Sequence, residues 1–388
     1  MRHERYRIAV LSVIATCVGW IGWSGNVLAL PVAVLFPVLW SLAATRWQAA
    51  AVSAGYFLAA SRGLPQGVAN FYSSDIWPGL ALWLIASTAF VLVHSASWAA
   101  RAGWQMSLRY LMASVAMAIP PFGITGWAHP VAAAGVLFPG SGWWGLLAVT
   151  AGLALLTTRL WPAVAIALTG FWLRSAACWT PPLVASLFHG VDLEMGETLG
   201  RSNNLEYHRA LASTVLGDRA AGQAVVVLPE SALGFWTPTV KRFWQSMLAG
   251  TQITVVAGAA LVDEGGYDNV LVKISPDDSH ILYRERMPVP GSMWQPWSNL
   301  AGGAGGARAH FFANPVVNVS GTKVAPLICY EQLVVWPIVQ SMIYDPDIIL
   351  IVGNAWWTSG TSIAEIQRSN AQAWARLFDV PLVMSFNS

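Results

Sequence analysis

The chain has 388 residues, of which 55% are hydrophobic and only 10% charged, whereas soluble domains carry about 25% charged residues. That composition excludes intrinsic disorder and an ordinary water-soluble enzyme. Charge divides the chain in two: residues 1–180 carry nine Arg, no Lys and two acids (Glu4, Asp75), a net of +7, whereas residues 181–388 carry 12 basic and 17 acidic residues, a net of −5. Fourteen of the 22 Trp lie in the first part, as the interfacial belts of a membrane bundle require. No Lys/Arg-rich run is present, so no nucleic-acid contact is expected.

In chain order, apolar runs predict about seven membrane spans, at 8–24, 27–45, 47–60, 76–94, 107–125, 131–157 and 160–178. Each is near the length needed to cross roughly 30 Å of hydrocarbon. The basic start and first apolar run also fit a signal peptide, but the next run follows within a few residues and no A-x-A site precedes it, so the segment reads as retained. With the N-terminus inside, Arg2, Arg5, Arg7, Arg46, Arg101, Arg109 and Arg159 are cytoplasmic and only Arg62 and Arg174 lie outside. An odd number of crossings then delivers residues 181–388 to the periplasm of a bacterial inner membrane. The spans hold almost no ionisable residues, which disfavours an ion or proton transporter and favours an anchor or a holder of membrane lipid.

After residue 200 short β-branched runs alternate with amphipathic helices. Strands are predicted at 224–228, 253–259, 269–274, 280–284, 316–319, 323–328, 348–352 and 381–386, and helices at about 203–217, 238–249, 331–342 and 362–378. Pro276-Asp277-Asp278 and Ser320-Gly321 are hairpin turns. The pattern is an α/β domain with a mixed sheet. His189, His208, His280 and His310 have no metal spacing and read as surface or loop residues, and the three Cys form no ligand cluster or disulfide framework, so neither a metal nor another cofactor is expected. The stretch 301–306 lacks the ending of a phosphate loop and reads as a flexible flap.

Chemistry-bearing residues cluster just past strand ends, where open α/β sheets place their sites. Glu230 follows Val225-Val226-Val227-Leu228-Pro229, Cys329 and Glu331 follow the run 324–328, and Asn354-Ala355-Trp356-Trp357 follows the run 348–352. A thiol with a carboxylate in an apolar pocket suits covalent acyl chemistry: the acid takes and returns the thiol proton, and a neighbouring cation stabilises the oxyanion. Arg284 and Arg286 are the candidate cations. Read singly, a Cys such as Cys329 is more often a small core residue, and an acid such as Glu230 a helix-cap neighbour.

Taken together, these segments resemble the carbon-nitrogen hydrolase (nitrilase) superfamily, in particular its membrane branch, the apolipoprotein N-acyltransferases. The resemblance rests on Leu228-Pro229-Glu230, the segment 283–290, Pro326-Leu327-Ile328-Cys329-Tyr330-Glu331, Asn354-Ala355-Trp356-Trp357, the segment 371–376, Pro381-Leu382-Val383 and Asn387. It implies an α/β/β/α sandwich beside the helical membrane domain, and a Glu-Lys-Cys triad with Glu230 as base and Cys329 as the acylated nucleophile. Glu331 matches the second acid after the nucleophile in the acyltransferase branch. The lysine is unmatched: alignment on Val289-Pro290 puts Glu285 in its place, flanked by Arg284 and Arg286, and Arg286 is taken as the oxyanion partner.

Beyond Pro290 the segment 291–297 differs from the acyltransferases, and the resemblance implies closing strands and a last membrane helix beyond Ser388. These departures resemble a divergent group of conjugative-plasmid proteins related to the acyltransferases. The expected activity is therefore thiol-dependent acyl transfer to an amine, as on a lipoprotein, or amide hydrolysis, in a membrane protein of conjugal transfer. Trp294, Trp297, Trp356 and Trp357 would line an acyl entrance, with conjugation-apparatus proteins as partners. The alternative is a catalytically inactive membrane scaffold, favoured by the missing lysine and disfavoured by retention of Glu230, Cys329 and Glu331.

Overall fold

A computed structural model describes residues 2–100, 103–196, 204–217, 224–297, 306–313 and 315–388. The glycine-rich 301–305, read as a flap, and Arg101 lie outside the described residues. The chain forms two compact units. The first comprises Met1–Pro182, Leu333–Trp336 and Gly360–Asp379, and the second Leu183–Gln332, Pro337–Ser359 and Val380–Ser388.

The first unit is helical: α1 (Arg2–Gly22), α2 (Phe36–Ser41), α3 (Arg46–Ala60), α4 (Leu64–Tyr72), α5 (Ile76–Ser97), α6 (Trp104–Ala118), α7 (Ala134–Leu137), α8 (Gly142–Leu155) and α9 (Trp161–Ala177). Among the described residues only α5 is long and apolar enough to cross a membrane. The expected spans at 27–45 and 131–157 are not continuous α-helices. Pro31 lies within a 3-10 helix, Val27–Leu35, that precedes α2. A 3-10 turn (Pro130–Ala133), α7 and α8 divide the other, with the break at Phe138-Pro139-Gly140-Ser141, because proline removes a helix donor and clashes with the preceding turn. The unit's centre is aromatic: Phe36 stacks on Tyr56 at 4.5 Å and Phe57 on Phe90 at 4.6 Å between ring centroids. Trp23 Nε1 donates to Tyr56 Oη (2.9 Å), which donates to the Ala128 carbonyl (2.7 Å), so the polar tips of these two buried rings are satisfied.

The helix Ile363–Phe378, read in sequence as part of the second domain, belongs to the first unit. Its backbone meets α7 so closely that a Cβ on Gly135 would lie 1.6 Å from the Ala373 carbonyl oxygen, so only glycine fits there.

The second unit is built on two sheets. One has the order β1 (Phe188–Gly190), β2 (Val225–Val227), β3 (Thr254–Asp263), β4 (Gly266–Ile274), β5 (Ser279–Arg284), and the other β6 (Val317–Val319), β7 (Thr322–Ile328), β8 (Ile348–Asn354), β9 (Leu382–Asn387). β1, β2 and β3 run parallel, as do β7, β8 and β9, while β4, β5 and β6 join through antiparallel pairs. The β6–β7 turn is Ser320-Gly321 with both φ positive (52° and 86°), the geometry of a tight hairpin. Val225, Val227, Val256 and Leu271 of the first sheet form one core with Val324, Ile328, Leu350 and Val352 of the second, so the sheets pack face to face. Val226, Val255, Ala257, Val270 and Val272 face the other way, onto α10 (Leu205–Gly217) and α11 (Pro238–Leu248). His208 is buried in that layer, accepting a hydrogen bond from Trp244 Nε1 (3.2 Å), rather than lying on the surface as expected. The predicted helix at 331–342 is a 3-10 turn, Cys329–Gln332, followed by α12 (Val335–Met342).

Candidate active site

The site lies at the ends of β2, β5, β7 and β8. Val225-Val226-Val227 is buried on both faces, and the chain turns out of the sheet at Pro229-Glu230-Ser231, with Ser231 at φ 62°. β7 delivers Cys329 at φ 45°. Left-handed backbone at a non-glycine residue costs about 1–3 kcal/mol and marks a position held by its surroundings. Gly258 of β3 lets the Glu230 turn sit close: a Cβ there would lie 2.5 Å from the Glu230 Cα.

Glu230 and Cys329 meet. The thiol hydrogen-bonds to the buried Glu230 carboxyl group, and the backbone of Asn354 hydrogen-bonds to both. Burial pushes the Glu230 carboxyl up to about 7, against the opposing hydrogen bonds from Asn269, Cys329 and Asn354. Burial, followed by the fields of Glu230 and Glu285, also pushes the Cys329 thiol well up, so the resting pair is a neutral thiol beside an acid that titrates near neutrality. Such an acid is matched to taking the thiol proton as the sulfur attacks a carbonyl carbon, and to returning it to a leaving group.

Glu285 follows β5 and is almost completely buried. Asn269, on β4, donates through Nδ2 to Glu230 Oε1 (2.8 Å) and to Glu285 Oε2 (2.9 Å). Burial, then the fields of Glu230 and Glu331, push the Glu285 carboxyl well above the usual range. Its Oε1 has no hydrogen-bond partner among the described residues.

The two arginines are engaged elsewhere. Arg284 pairs with Asp268. Arg286, expected as oxyanion partner, is fully buried and donates to Tyr283 Oη (2.8 Å), Gln340 Oε1 (2.9 Å), Ser341 Oγ (3.0 Å) and the Pro326 carbonyl (3.4 Å), with Nε 3.7 Å from Glu331 Oε1. Glu230 and Glu285 are the ionisable neighbours whose carboxyls act most on Cys329. Glu331 accepts from Tyr283 Oη (2.8 Å) and from the backbone N–H of Arg286 (2.7 Å), Met287 (3.3 Å) and Ile328 (2.7 Å). It therefore ties the 283–287 segment to the end of β7 and acts as a positioning group.

Of the four Trp expected at an acyl entrance, Trp356 and Trp357 lie on a 3-10 turn immediately beyond β8, partly exposed. Trp294 packs edge-on against Phe311 (5.3 Å) and Trp297 is exposed. Sequence reasoning missed Asn269, Tyr283, Gln340 and Ser341 as site groups. Asp268-Asn269, a buried polar pair directly before the apolar run Val270-Leu271-Val272, was the available signal.

The carbon-nitrogen hydrolase family model matches residues 58–376. The chain belongs to the carbon-nitrogen hydrolase family. Within that family it is 62% identical over 388 residues to a probable conjugal transfer protein TraB of Sinorhizobium fredii, covering 100% of both chains. It is 58% identical to the conjugal transfer protein TraB of Agrobacterium fabrum, over 100% of this chain and 94% of that one. Among solved structures it is similar to a carbon-nitrogen hydrolase from Helicobacter pylori, at 15% identity and a TM-score of 0.36, over 51% of this chain and 72% of the other. In this carbon-nitrogen hydrolase the two sheets are those of a nitrilase-like fold, and Glu285 stands where the resemblance implies lysine.

Proposed function

We propose that the protein is a membrane-bound carbon-nitrogen hydrolase of conjugal transfer in which Cys329 accepts an acyl group from an ester or amide and passes it to water or to an amine. The observation behind this reading is the hydrogen bond between the Cys329 thiol and a buried Glu230 carboxyl held up to about 7. As the sulfur bonds to the carbonyl carbon, its proton moves to Glu230. Collapse of the tetrahedral intermediate expels the leaving group with that proton and leaves a thioester, which water or an amine then cleaves with Glu230 again accepting a proton. Trp356 and Trp357, partly exposed just beyond β8, are the side chains this reading assigns to the acyl entrance.

Membrane attachment is supported by α5 and by the many exposed apolar side chains of the first unit, among them Ile85 (69%), Ile166 (74%) and Trp144 (79%), more than a water-facing surface tolerates. The reading is multi-pass, with residues 181–388 in the periplasm, lipid as surroundings or acyl source, a lipoprotein amine as a fitting acceptor, and conjugation-apparatus proteins as partners. The acyl reading is tested by treating detergent-purified full chain with p-nitrophenyl acetate and weighing the Cys329 peptide. A thioester adduct absent from Cys329→Ala supports it; no adduct on a thiol that iodoacetamide still alkylates overturns it.

A second reading, a non-catalytic scaffold, is favoured by the acid at the family's lysine position and by the engagement of Arg286 with Glu331 rather than with the thiol. In that case Cys329→Ala would support conjugation as well as wild type.

A further inference from the structure

We infer that the Glu285 carboxyl group acts as a neutral hydrogen-bond donor to the oxyanion formed when Cys329 attacks an acyl donor, so that an O–H fills the role for which the family uses an ammonium. The inference rests on the reading of Cys329 as a nucleophile.

Three observations carry it. First, Glu285 stands where the resemblance implies lysine and is tied through Asn269 to the Glu230 that faces the thiol, whereas the nearby cations are committed: Arg286 to Glu331, Tyr283, Gln340 and Ser341, and Arg284 to Asp268. Second, one amide bridges two buried carboxyls. Asn269 Nδ2 gives one hydrogen to Glu230 (2.8 Å) and the other to Glu285 (2.9 Å), and a neutral amide cannot offset two adjacent negative charges out of water. Like charges that close cannot both ionise, so the pair retains a proton near neutral pH. Glu230 is the member that touches the thiol and must accept its proton, so the retained proton sits on Glu285. Third, Glu285 Oε1 is buried with no partner among the described residues. A buried O–H without an acceptor is costly unless something arrives to accept from it. A carbonyl oxygen turning into an oxyanion is such an acceptor, and a carboxylic acid kept neutral by its surroundings is an effective donor to one.

The step balances without any further reagent. The sulfur–carbon bond forms, the thiol proton passes to Glu230, the carbonyl π pair moves onto oxygen, and that oxygen accepts the Glu285 O–H. On collapse the pair returns, the leaving group departs with the Glu230 proton, and Glu285 keeps its own.

The experiment compares two reactions of Cys329 in detergent-purified full chain. Acylation by p-nitrophenyl acetate passes through an oxyanion; alkylation by iodoacetamide displaces iodide at a saturated carbon and does not. Glu285→Leu is expected to slow acylation about 100-fold while alkylation proceeds at the wild-type rate, which also reports a folded site. Glu285→Gln keeps an N–H donor and is expected to retain most of the acylation rate. Wild-type acylation rates in Glu285→Leu, an equal slowing of both reactions, or a Glu285→Gln variant as slow as Glu285→Leu each overturn the inference. If wild type itself forms no thioester, the acyl-transfer reading fails first, and the inference falls with it.

Discussion

Arg286 and Glu331 form an ion pair, Nε to Oε1 3.7 Å, with both side chains wholly shielded from solvent. Arg286 is further hydrogen-bonded to Tyr283, Gln340 and Ser341, and Glu331 to Tyr283 and backbone amides. Breaking such a pair from one side leaves a bare buried charge. Glu331→Gln or Arg286→Met is therefore expected to cost about 3–5 kcal/mol in urea unfolding, and the double replacement Arg286→Met/Glu331→Leu less than the two single losses combined. Additive losses would show that the pair is not a unit.

The acid at position 230 sets a pH dependence of two kinds. Acylation of Cys329 needs Glu230 ionised, so its rate should rise with pH through about 7, and Glu230→Gln should lower it by about 10²–10⁴-fold, the range for a general base. Stability should run the other way. The folded protein holds a proton that the unfolded chain releases at about 4.5, so this group's contribution is full below that value and falls as pH rises to about 7. The loss is on the order of 3 kcal/mol, and urea midpoints at acid and neutral pH, flatter in Glu230→Gln, would measure it.

Gly258 and Glu230 are in backbone contact, and a methyl group at 258 would fall 2.5 Å from the Glu230 Cα and 2.6 Å from the Ser231 nitrogen. Gly258→Ala should therefore cost about 1–3 kcal/mol by overpacking. It should also move the base: acylation of Cys329 falls while circular dichroism stays unchanged. A variant with wild-type acylation would show that the turn has room to shift.

Cys329 sits at φ 45°, a conformation that a side chain disfavours. Cys329→Gly and Cys329→Ala both remove the sulfur, but only glycine relieves the backbone. Glycine should be the more stable of the two by about 1–2 kcal/mol, read as a difference in thermal or urea midpoint.

Much of the second unit was legible because its strands are β-branched runs bounded by turn residues. Val225–Val227, Thr322–Ile328 and Ile348–Asn354 each fall on a predicted run. β1 escaped because Phe188-His189-Gly190 carries only three residues and no alternation; its pairing with β2 comes from tertiary context. The Glu230 and Cys329 positions were legible as polar residues beyond apolar strands. The destination of Arg286 was not, because Gln340 and Ser341 lie on a helix far along the chain and only the folded backbone brings them to the guanidinium. In the first unit, apolar length alone marked spans at 27–45 and 131–157, whereas proline placement divides them into 3-10 turns and short helices.

The assignment of Ile363–Phe378 to the unit that begins at the N-terminus has a consequence for biosynthesis. A ribosome finishes nearly the whole β-rich portion before it makes the segment that completes the helical one. Gly135 must then wait, with its neighbours uncovered, for Ala373 to emerge. Cutting the gene after residue 182 would therefore release a helical fragment lacking its last helix, and each half produced alone should aggregate where the uncut polypeptide does not.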